Sequence, residues 1–293
     1  MNIKNVLLFS FIFSFIVSTP LIMIAQISLE GIVRPRTELR NGYRLLLTPD
    51  TEPAAFTSQR TRLKARYKDE KYAITLSGQD VRVWGDVEQL GDNANVNIHE
   101  AYAELFFTPE IKLQLGRQEL IYNNHRLLGN VNWTQRARSH DALRLRIDVD
   151  DEKQAFKLDA GLAFNQEREN ILGNNFTLDN YKALSYLWAD KTWDALQVSG
   201  LVLTDGFQTG PDVTKFRYTY GTQISYDTKL LKLTSEAYGQ SGDDANRNDI
   251  SAYMWALDVA HSRNRVQLHA GYTFLSGGSP GDNNQAGDVF NTL

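Results

Sequence analysis

Arginine and lysine side chains recur at every second position in several segments of the sequence. In the clearest of these, residues 60–68, Arg60, Arg62, Lys64 and Arg66 alternate with neutral or apolar residues. Guanidinium and ammonium groups bind carboxylates and phosphates, and the planar guanidinium does so through two parallel hydrogen bonds. The chemistry that these residues indicate is therefore anion binding. The full set of candidate binding residues is Arg34, Arg36, Arg60, Arg62, Lys64, Arg66, Arg82, Arg117, Arg144, Arg146 and Arg217.

Residues suited to catalysis or to metal binding are few. The sequence contains no cysteine, which excludes disulfides, thiolate metal sites and thiol nucleophiles. Ser139, His140 and Asp141 are adjacent, but neighbours on a strand point to opposite faces, so this run does not form a catalytic triad. The five histidines are scattered without metal-ligand spacing. We therefore expect no enzyme activity, no cofactor and no metal centre.

The polar loops leave one cofactor alternative open. A calcium ion could bind the oxygen atoms of a loop near residue 245, although the pattern of an EF-hand is not met. Binding of glycans by the long loops is a further alternative. The net charge of −4 gives no reason to expect a nucleic-acid partner. The oxygen-bearing residues of that loop are Asp243, Asp244, Asn246, Asn248 and Asp249.

The alternating segments themselves predict β-strands. A period of two separates polar from apolar side chains on the two faces of a strand, whereas a helix would mix them. Residues 26–293 contain about thirteen such segments. The alternation slips after Gly78, where Val81 and Val83 become the apolar pair, and this predicts a β-bulge near Gly78 to Asp80.

The connections between the predicted strands alternate between short and long. In an antiparallel sheet this rhythm places every short turn at one end and every long loop at the other, which is typical of outer-membrane barrels. The short turns fall near residues 69–70, 108–109, 150–153, 191–193, 227–228 and 262–263. The long connections are 40–55, 85–96, 119–140, 166–180, 205–214 and 241–249.

These features predict an all-β fold, an antiparallel transmembrane β-barrel, with a secreted β-sandwich as the competing architecture. The predicted strands have about nine to twelve residues, which matches a tilted membrane-spanning strand. The barrel places the apolar faces against lipid and the charged faces in the lumen. Aromatic residues near the strand ends are expected to form interfacial girdles, and these are Phe107, Tyr181, Trp188, Tyr226, Trp255, Tyr272 and Phe274.

The first 25 residues read as a signal peptide. Lys4 precedes an almost wholly apolar run that ends at Ala25, a small residue suited to cleavage; a helical membrane anchor is the alternative. Residues 26–293 then form one domain. Single-chain bacterial barrels have an even number of strands, so about thirteen strands predict a barrel that is incomplete at the C-terminus, unless one strand is miscounted.

Several motifs resemble the alginate-export family of outer-membrane porins. They include residues 79–86 (QDVRVWGD), 115–120 (LGRQEL), 126–130 (RLLGN) and 138–143 (RSHDAL). The resemblance is strongest over residues 30–150 and weaker beyond. In combination these motifs are fairly specific, whereas each alone is weak.

The resemblance implies a monomeric barrel of about eighteen strands and an arginine-rich lumen that passes an anionic uronate polysaccharide. Carried over by position, Arg117 is expected to be the strongest pore residue, followed by Arg60, Arg62 and Arg82. The implied location is the outer membrane, after export through the periplasm. Expected partners are outer-membrane lipid, the barrel-assembly machinery and an anionic saccharide or other small solute. Acidic residues are as abundant as basic ones, so a general or glycan-binding outer-membrane protein without this specificity remains the alternative.

Overall fold

The computed structural model describes most of the chain after the predicted signal peptide. The described residues are 26–42, 45, 48, 51–91, 95–151, 154–176, 180–210, 213–246, 248–263, 265–277 and 288–292. The prediction of a signal peptide in residues 1–25 falls outside them.

Alternation in the sequence becomes thirteen strands, which confirms the predicted count and fold class. The strands have 8 to 15 residues, a wider range than expected. They are β1 (Gln26–Arg40), β2 (Ala54–Lys68), β3 (Tyr72–Val83), β4 (Val96–Phe106), β5 (Ile111–Gln118), β6 (His140–Asp151), β7 (Gln154–Phe164), β8 (Ala183–Trp193), β9 (Leu196–Gly210), β10 (Val213–Asp227), β11 (Leu231–Asp243), β12 (Asp249–Arg263) and β13 (Val266–Leu275).

Each strand pairs antiparallel with its neighbours in the chain, so the sheet is a continuous meander from β1 to β13. Over the described residues the sheet is open, with β1 and β13 at its edges. Within the same residues, no helix is long and apolar enough to cross a membrane.

The two faces of the sheet differ in the way that the alternation predicts. The outer face exposes large apolar side chains, among them Leu63, Leu76 and Leu145. The inner face carries buried polar and charged side chains such as Arg62 and Glu104. Exposed leucines on one face and buried charges on the other are the reverse of a soluble sandwich core and suit a sheet whose outer face meets lipid.

The predicted bulge is present, but on the neighbouring strand. The pairing of β3 with β4 shifts between Ser77 and Gly78, and the extra residue is His99 of β4. Strand β3 keeps an unbroken register with β2. Arg82 therefore stays on the outer face, where its guanidinium binds Asp80 at 2.6 Å. The expectation that Arg82 lines the lumen is wrong, because the bulge does not reset the faces of β3.

Arg117 also lies on the outer face. It has the parity of the exposed Leu115 on β5, and its cross-strand neighbour is Asp141, which it binds at 3.1 Å. The expectation that Arg117 is the strongest lumen residue is wrong for the same geometric reason, since neighbours two apart on a strand share a face. Gly116 precedes it with φ of 122°, and a Cβ there would lie 2.3 Å from the Ala101 carbonyl oxygen.

Most long connections fall at one end of the sheet, as predicted, with one exception. Strands β9 and β10 continue through most of residues 205–214, so only residues 211 and 212 separate them. The expected long loop at this place is wrong. Its polar residues fooled the pattern because the inner-facing Asp205 and Arg217 bind each other across the hairpin at 2.6 Å.

The aromatic residues split between the two faces. Phe107, Tyr226, Trp255 and Tyr272 are exposed, and Trp255 contacts Tyr272 and Phe274 on the outer face of β12 and β13. Tyr181 and Trp188 are buried instead. Trp188 packs on the inner side, so its assignment to an interfacial girdle is wrong.

Candidate functional site on the inner face

The connection between β5 and β6 lies against the inner face rather than projecting away from the sheet. Residues 119–139, called the crossing segment here, contact β1 and β2 at one wall and β7 to β11 at the opposite wall. A segment that touches two opposite walls narrows the space between them. The inner face and this segment together form the candidate functional site.

Arginines of β1 and β2 hold one end of the crossing segment by its backbone. Arg34 donates to the Asn132 carbonyl at 2.8 Å, and Arg36 donates to the Trp133 carbonyl at 2.8 Å. Arg60 is almost completely buried and donates to the Asn132 side-chain oxygen at 2.6 Å. Hydrogen bonds from a charged donor contribute about 1.5–3 kcal/mol each in buried settings. These three predicted residues thus bind protein carbonyls.

Glutamine side chains complete this attachment. Gln135 donates to the Ser58 hydroxyl at 3.1 Å, while its own carbonyl accepts from Arg60 Nε at 2.6 Å. Gln79 accepts from Arg62 Nη2 at 2.6 Å and donates to the Arg136 carbonyl at 2.8 Å. Arg62 is therefore also occupied with internal contacts.

The start of the crossing segment is fixed by Glu119. Its carboxylate lies 2.7 Å from His99 Nε2, accepts from Asn130 Nδ2 at 2.8 Å and lies 3.7 Å from Arg62. Burial acts to raise the pKa of this carboxyl, but the hydrogen bonds from His99 and Asn130 and the charge of Arg62 bring it below its usual value. Glu119 is therefore ionised near neutral pH.

Asn123 pins the crossing segment to the opposite wall. Its side-chain oxygen accepts from Trp188 Nε1 at 3.0 Å and from the Ser199 hydroxyl at 2.9 Å, and its Nδ2 donates to the Tyr238 hydroxyl at 3.0 Å. Asn123 has a φ of 50°, which an asparagine tolerates better than most residues. One amide thereby joins three strands.

A carboxylate provides a second attachment at this wall. Glu236 of β11 is buried and accepts from Asn124 Nδ2 at 2.7 Å and from Arg126 Nε at 2.8 Å. Arg126 is the more exposed partner of this ion pair. The attachment depends on a single side chain of the wall.

Tyr122 extends the contact to β7 and β8. Its hydroxyl donates to Asp159 Oδ2 at 2.9 Å and lies 2.9 Å from the Tyr186 hydroxyl. Burial raises the pKa of the Tyr122 hydroxyl, so it stays protonated and can donate. Asp159 also accepts from Arg144 Nε at 3.0 Å and from Arg146 Nε at 3.3 Å.

Apolar packing covers the rest of this contact. Leu120 and Leu128 of the crossing segment are fully buried in one cluster with Leu184, Leu201 and Leu203 of the wall. Full burial of a leucine stabilises by about 1.5–3 kcal/mol. An apolar patch on the inner face of a transmembrane sheet therefore has a cover that belongs to the chain itself.

Below the crossing segment, towards the short turns, the inner face carries ion pairs in which the cation is the exposed partner. Arg66 has 37% of its side chain exposed and binds Glu104, which has 4% exposed. Lys64 has 31% exposed and lies 2.8 Å from Glu100, which has 7% exposed. The carboxylates lie behind the cations as seen from the interior space.

The same order continues along β5 to β7. Lys112 has 26% of its side chain exposed and shares Glu104 at 3.8 Å, and Arg146 has 25% exposed against 3% for Asp159. A formally balanced wall thus presents positive charge. The exposed cations of this wall, called the basic strip below, are Lys64, Arg66, Lys112 and Arg146.

The predicted residues therefore separate into four groups by position. Arg34, Arg36, Arg60 and Arg62 hold the crossing segment, while Arg144 and Arg217 are buried against Asp159 and Asp205. Lys64, Arg66 and Arg146 line the open space. Arg82 and Arg117 lie on the outer face. Sequence reasoning missed Lys112, although it alternates with Ile111 and Leu113 in the way that the other wall residues do.

The other predicted sites have simple outcomes. His140 and Asp141 lie on opposite faces, His140 buried and Asp141 exposed, as strand alternation requires. In the loop near residue 245, Asp244 accepts from the backbone amides of Asn246 and Asn248, both at 2.8 Å. Over the described residues, no three His, Asp or Glu side chains are grouped as metal ligands would be.

The sequence profile of the family described as alginate export matches residues 33–287. The chain belongs to the alginate-export family. This membership covers all of the strands except the first residues of β1. No curated protein sequence matches the chain.

Solved outer-membrane porins share the fold of this member of the alginate-export family. The anion-selective porin of Comamonas acidovorans is 13% identical, with a TM-score of 0.55 over 86% of this chain and 79% of that one. OccK8 (OprE) of Pseudomonas aeruginosa is 14% identical, with a TM-score of 0.55 over 86% and 68%. OmpT of Vibrio cholerae is 14% identical, with a TM-score of 0.51 over 87% and 76%. Family and fold point to an outer-membrane channel rather than to an enzyme.

Proposed function

We propose that this member of the alginate-export family forms a channel that prefers anionic solutes, with acidic saccharides of the uronate type as its substrate class. The observation that carries the proposal is the order of charges along the basic strip, where each exposed cation stands in front of a buried carboxylate. The family described as alginate export supplies the saccharide.

The position of a charge decides how strongly a passing ion feels it. A solute in the interior approaches Lys64 or Arg66 more closely than Glu100 or Glu104, and Coulomb energy falls with distance. Walls of low dielectric constant concentrate the field in a narrow space. Lumen rings of arginine and lysine favour anions in other channels. The basic strip therefore favours anions even though its ion pairs balance formally.

The crossing segment supports a selective passage over an open pore. It occupies the space between opposite walls, so a solute must pass close to a charged surface. The arginines that hold it are spent on that task, and the basic strip below remains available. An acidic sugar would meet first the constriction and then the strip, or the reverse, depending on its direction.

The outer face supports a membrane location with lipid as the partner. Exposed apolar residues cover it on every strand from β2 to β12. We extend the proposal to a monomer that is exported by its N-terminal signal and inserted by the barrel-assembly machinery.

Uptake into proteoliposomes tests the proposal with two sugars of similar size. The full chain should admit D-glucuronate faster than D-glucose, and Lys64→Gln with Arg66→Gln should reduce that preference. Arg82→Gln removes one cation from the outer face and should leave it unchanged. Equal uptake of both sugars by the unaltered protein would contradict anion preference and favour a general channel.

A further inference from the structure

The wall of the sheet is incomplete between β4 and β5. Their pairing ends at Ala101 and Arg117, although β4 continues to Val96 in its pairing with β3. Strand β5 pairs with β6 as far as Gln118. At the long-connection end, therefore, no ladder joins β4 to β5 beyond Arg117.

The end of the crossing segment borders this gap and leaves a cavity of about 570 Å³. Inner-face residues Gln79 and His99 line it together with outer-face residues Ile98 and Arg117. A cavity lined from both faces runs through the wall. It is called the wall cleft below.

Three arginines converge on the wall cleft: Arg117, Arg136 and Arg138. No aspartate or glutamate is among its described lining residues. The nearest printed carboxylate contact is Asp141, which binds Arg117 from the exposed outer face at 3.1 Å. Burial lowers the pKa of Arg138, since charge in this place lacks water.

Neutral hydrogen-bonding groups fill the remaining polar lining. Asn95, Asn97 and Ser139 contribute amides and a hydroxyl. Guanidinium forks beside amide and hydroxyl donors form the donor set that protein sites use for phosphate and carboxylate oxygens. The lining thus matches an anion with several oxygens.

The backbone holds these arginines in place. Ala137, between Arg136 and Arg138, has a φ of 60°, which residues other than glycine and asparagine adopt mainly when their surroundings impose it. The Arg136 carbonyl accepts from Gln79 at 2.8 Å, and the Arg138 amide donates to Asn130 at 2.7 Å. Restraint on both sides of a left-handed residue indicates a preorganised arrangement.

We propose that the wall cleft is an oxoanion-binding site, in which Arg117, Arg136 and Arg138 bind a phosphate or carboxylate group. The site lies in the wall beside the passage and is separate from the basic strip, so it goes beyond the channel function. The anion can arrive as a soluble solute from the interior or as the head group of a lipid at the outer face.

Titration of the full chain in neutral detergent with inorganic phosphate, followed by calorimetry, tests the soluble source. Arg136→Gln and Arg117→Gln should each weaken binding roughly tenfold, the loss expected for one charge-assisted bidentate contact. Arg136 is exposed, so its replacement should leave folding intact, which heat-dependent gel mobility verifies. Arg82→Gln removes an arginine from an outer-face Asp pair away from the cleft and should leave binding unchanged.

Reconstitution tests the lipid source. Protein is placed in phosphatidylcholine vesicles with or without phosphatidic acid, and lipid that remains bound after detergent extraction is identified by native mass spectrometry. Retained phosphatidic acid that is lost in Arg117→Gln supports the site with a lipid head group as its anion. Phosphate binding in detergent without retained lipid supports the site with a soluble anion. Absence of both, or equal loss in Arg82→Gln, overturns the proposal.

Discussion

At the residue scale, one motif explains why the cations of this chain do different jobs. An arginine whose side chain meets backbone carbonyls, such as Arg60, acts as a structural clamp, whereas one backed by a buried carboxylate, such as Arg66, presents its charge to the interior. Both have the same parity on β2. Sequence alternation therefore predicts the face, and only the packed partners decide the role.

The attachment through Glu236 gives the first prediction. Glu236→Gln removes the charge that holds Arg126 and Asn124, so that end of the crossing segment should loosen. We expect more frequent current fluctuations in single-channel recordings and a loss of about 1–2 kcal/mol in stability, reduced because Arg126 is partly exposed. Asp227→Asn removes an exposed ion pair with Lys232 and is the matched control. Quiet recordings from Glu236→Gln would show that this contact does not restrain the segment.

Glu119 gives a prediction for acid pH. Because its pKa in the folded protein is below the usual 4.5, the ionised carboxylate contributes stability that is fully present above 4.5 and is lost as pH falls through the lowered value. Limited proteolysis of the crossing segment should therefore accelerate as pH falls below 4.5. In Glu119→Gln that acceleration should be reduced and cleavage at neutral pH should be faster. An identical pH profile in both proteins would exclude Glu119 as the responsible group.

At the element scale, the strands were predictable and the crossing segment was not. Alternation determines the strands because lipid and lumen impose opposite demands on successive side chains. Residues 119–139 have no period, and their length suggested only a long loop. The apolar residues Leu120, Leu127 and Leu128 are the signal that could have revealed burial, since a solvated loop has no use for them.

The two outward arginines show where alternation fails locally. For Arg82, the extra residue of the bulge is on β4, and nothing in the sequence says which of two paired strands carries it. For Arg117, the motif suggested a role in the lumen, while its parity with Leu115 already placed it outside. Resemblance to a family transfers a residue's identity more reliably than its orientation.

The turn within the crossing segment provides a prediction at this scale. A Cβ on Gly129 would lie 2.4 Å from the His125 carbonyl oxygen, so Gly129→Ala must displace the backbone. We expect a destabilisation of about 1–3 kcal/mol and faster proteolysis of the crossing segment. Gly277→Ala has open space around it and should have no effect. Equal protease resistance of the two variants would mean that the turn adapts without cost to the segment.

At the scale of the whole molecule, the charge of the chain says less than its placement. The net charge of −4 suggests no preference for anions. The inner ion pairs reverse that impression because burial is unequal within them, with carboxylates in the wall and cations at its surface. Composition could not reveal this order, which depends on side-chain length as well as on position. Lysine and arginine reach further from the sheet than aspartate and glutamate.

The zero-current potential of the full chain in a planar bilayer with a potassium chloride gradient tests this account most directly. The basic strip predicts a potential of the sign that chloride permeation produces, and Lys64→Gln combined with Arg66→Gln should lower the chloride-to-potassium permeability ratio roughly twofold or more. Arg82→Gln, on the outer face, should leave the ratio unchanged. A cation-selective potential in the unaltered protein, insensitive to the paired variant, would contradict the claim that the exposed cations govern passage.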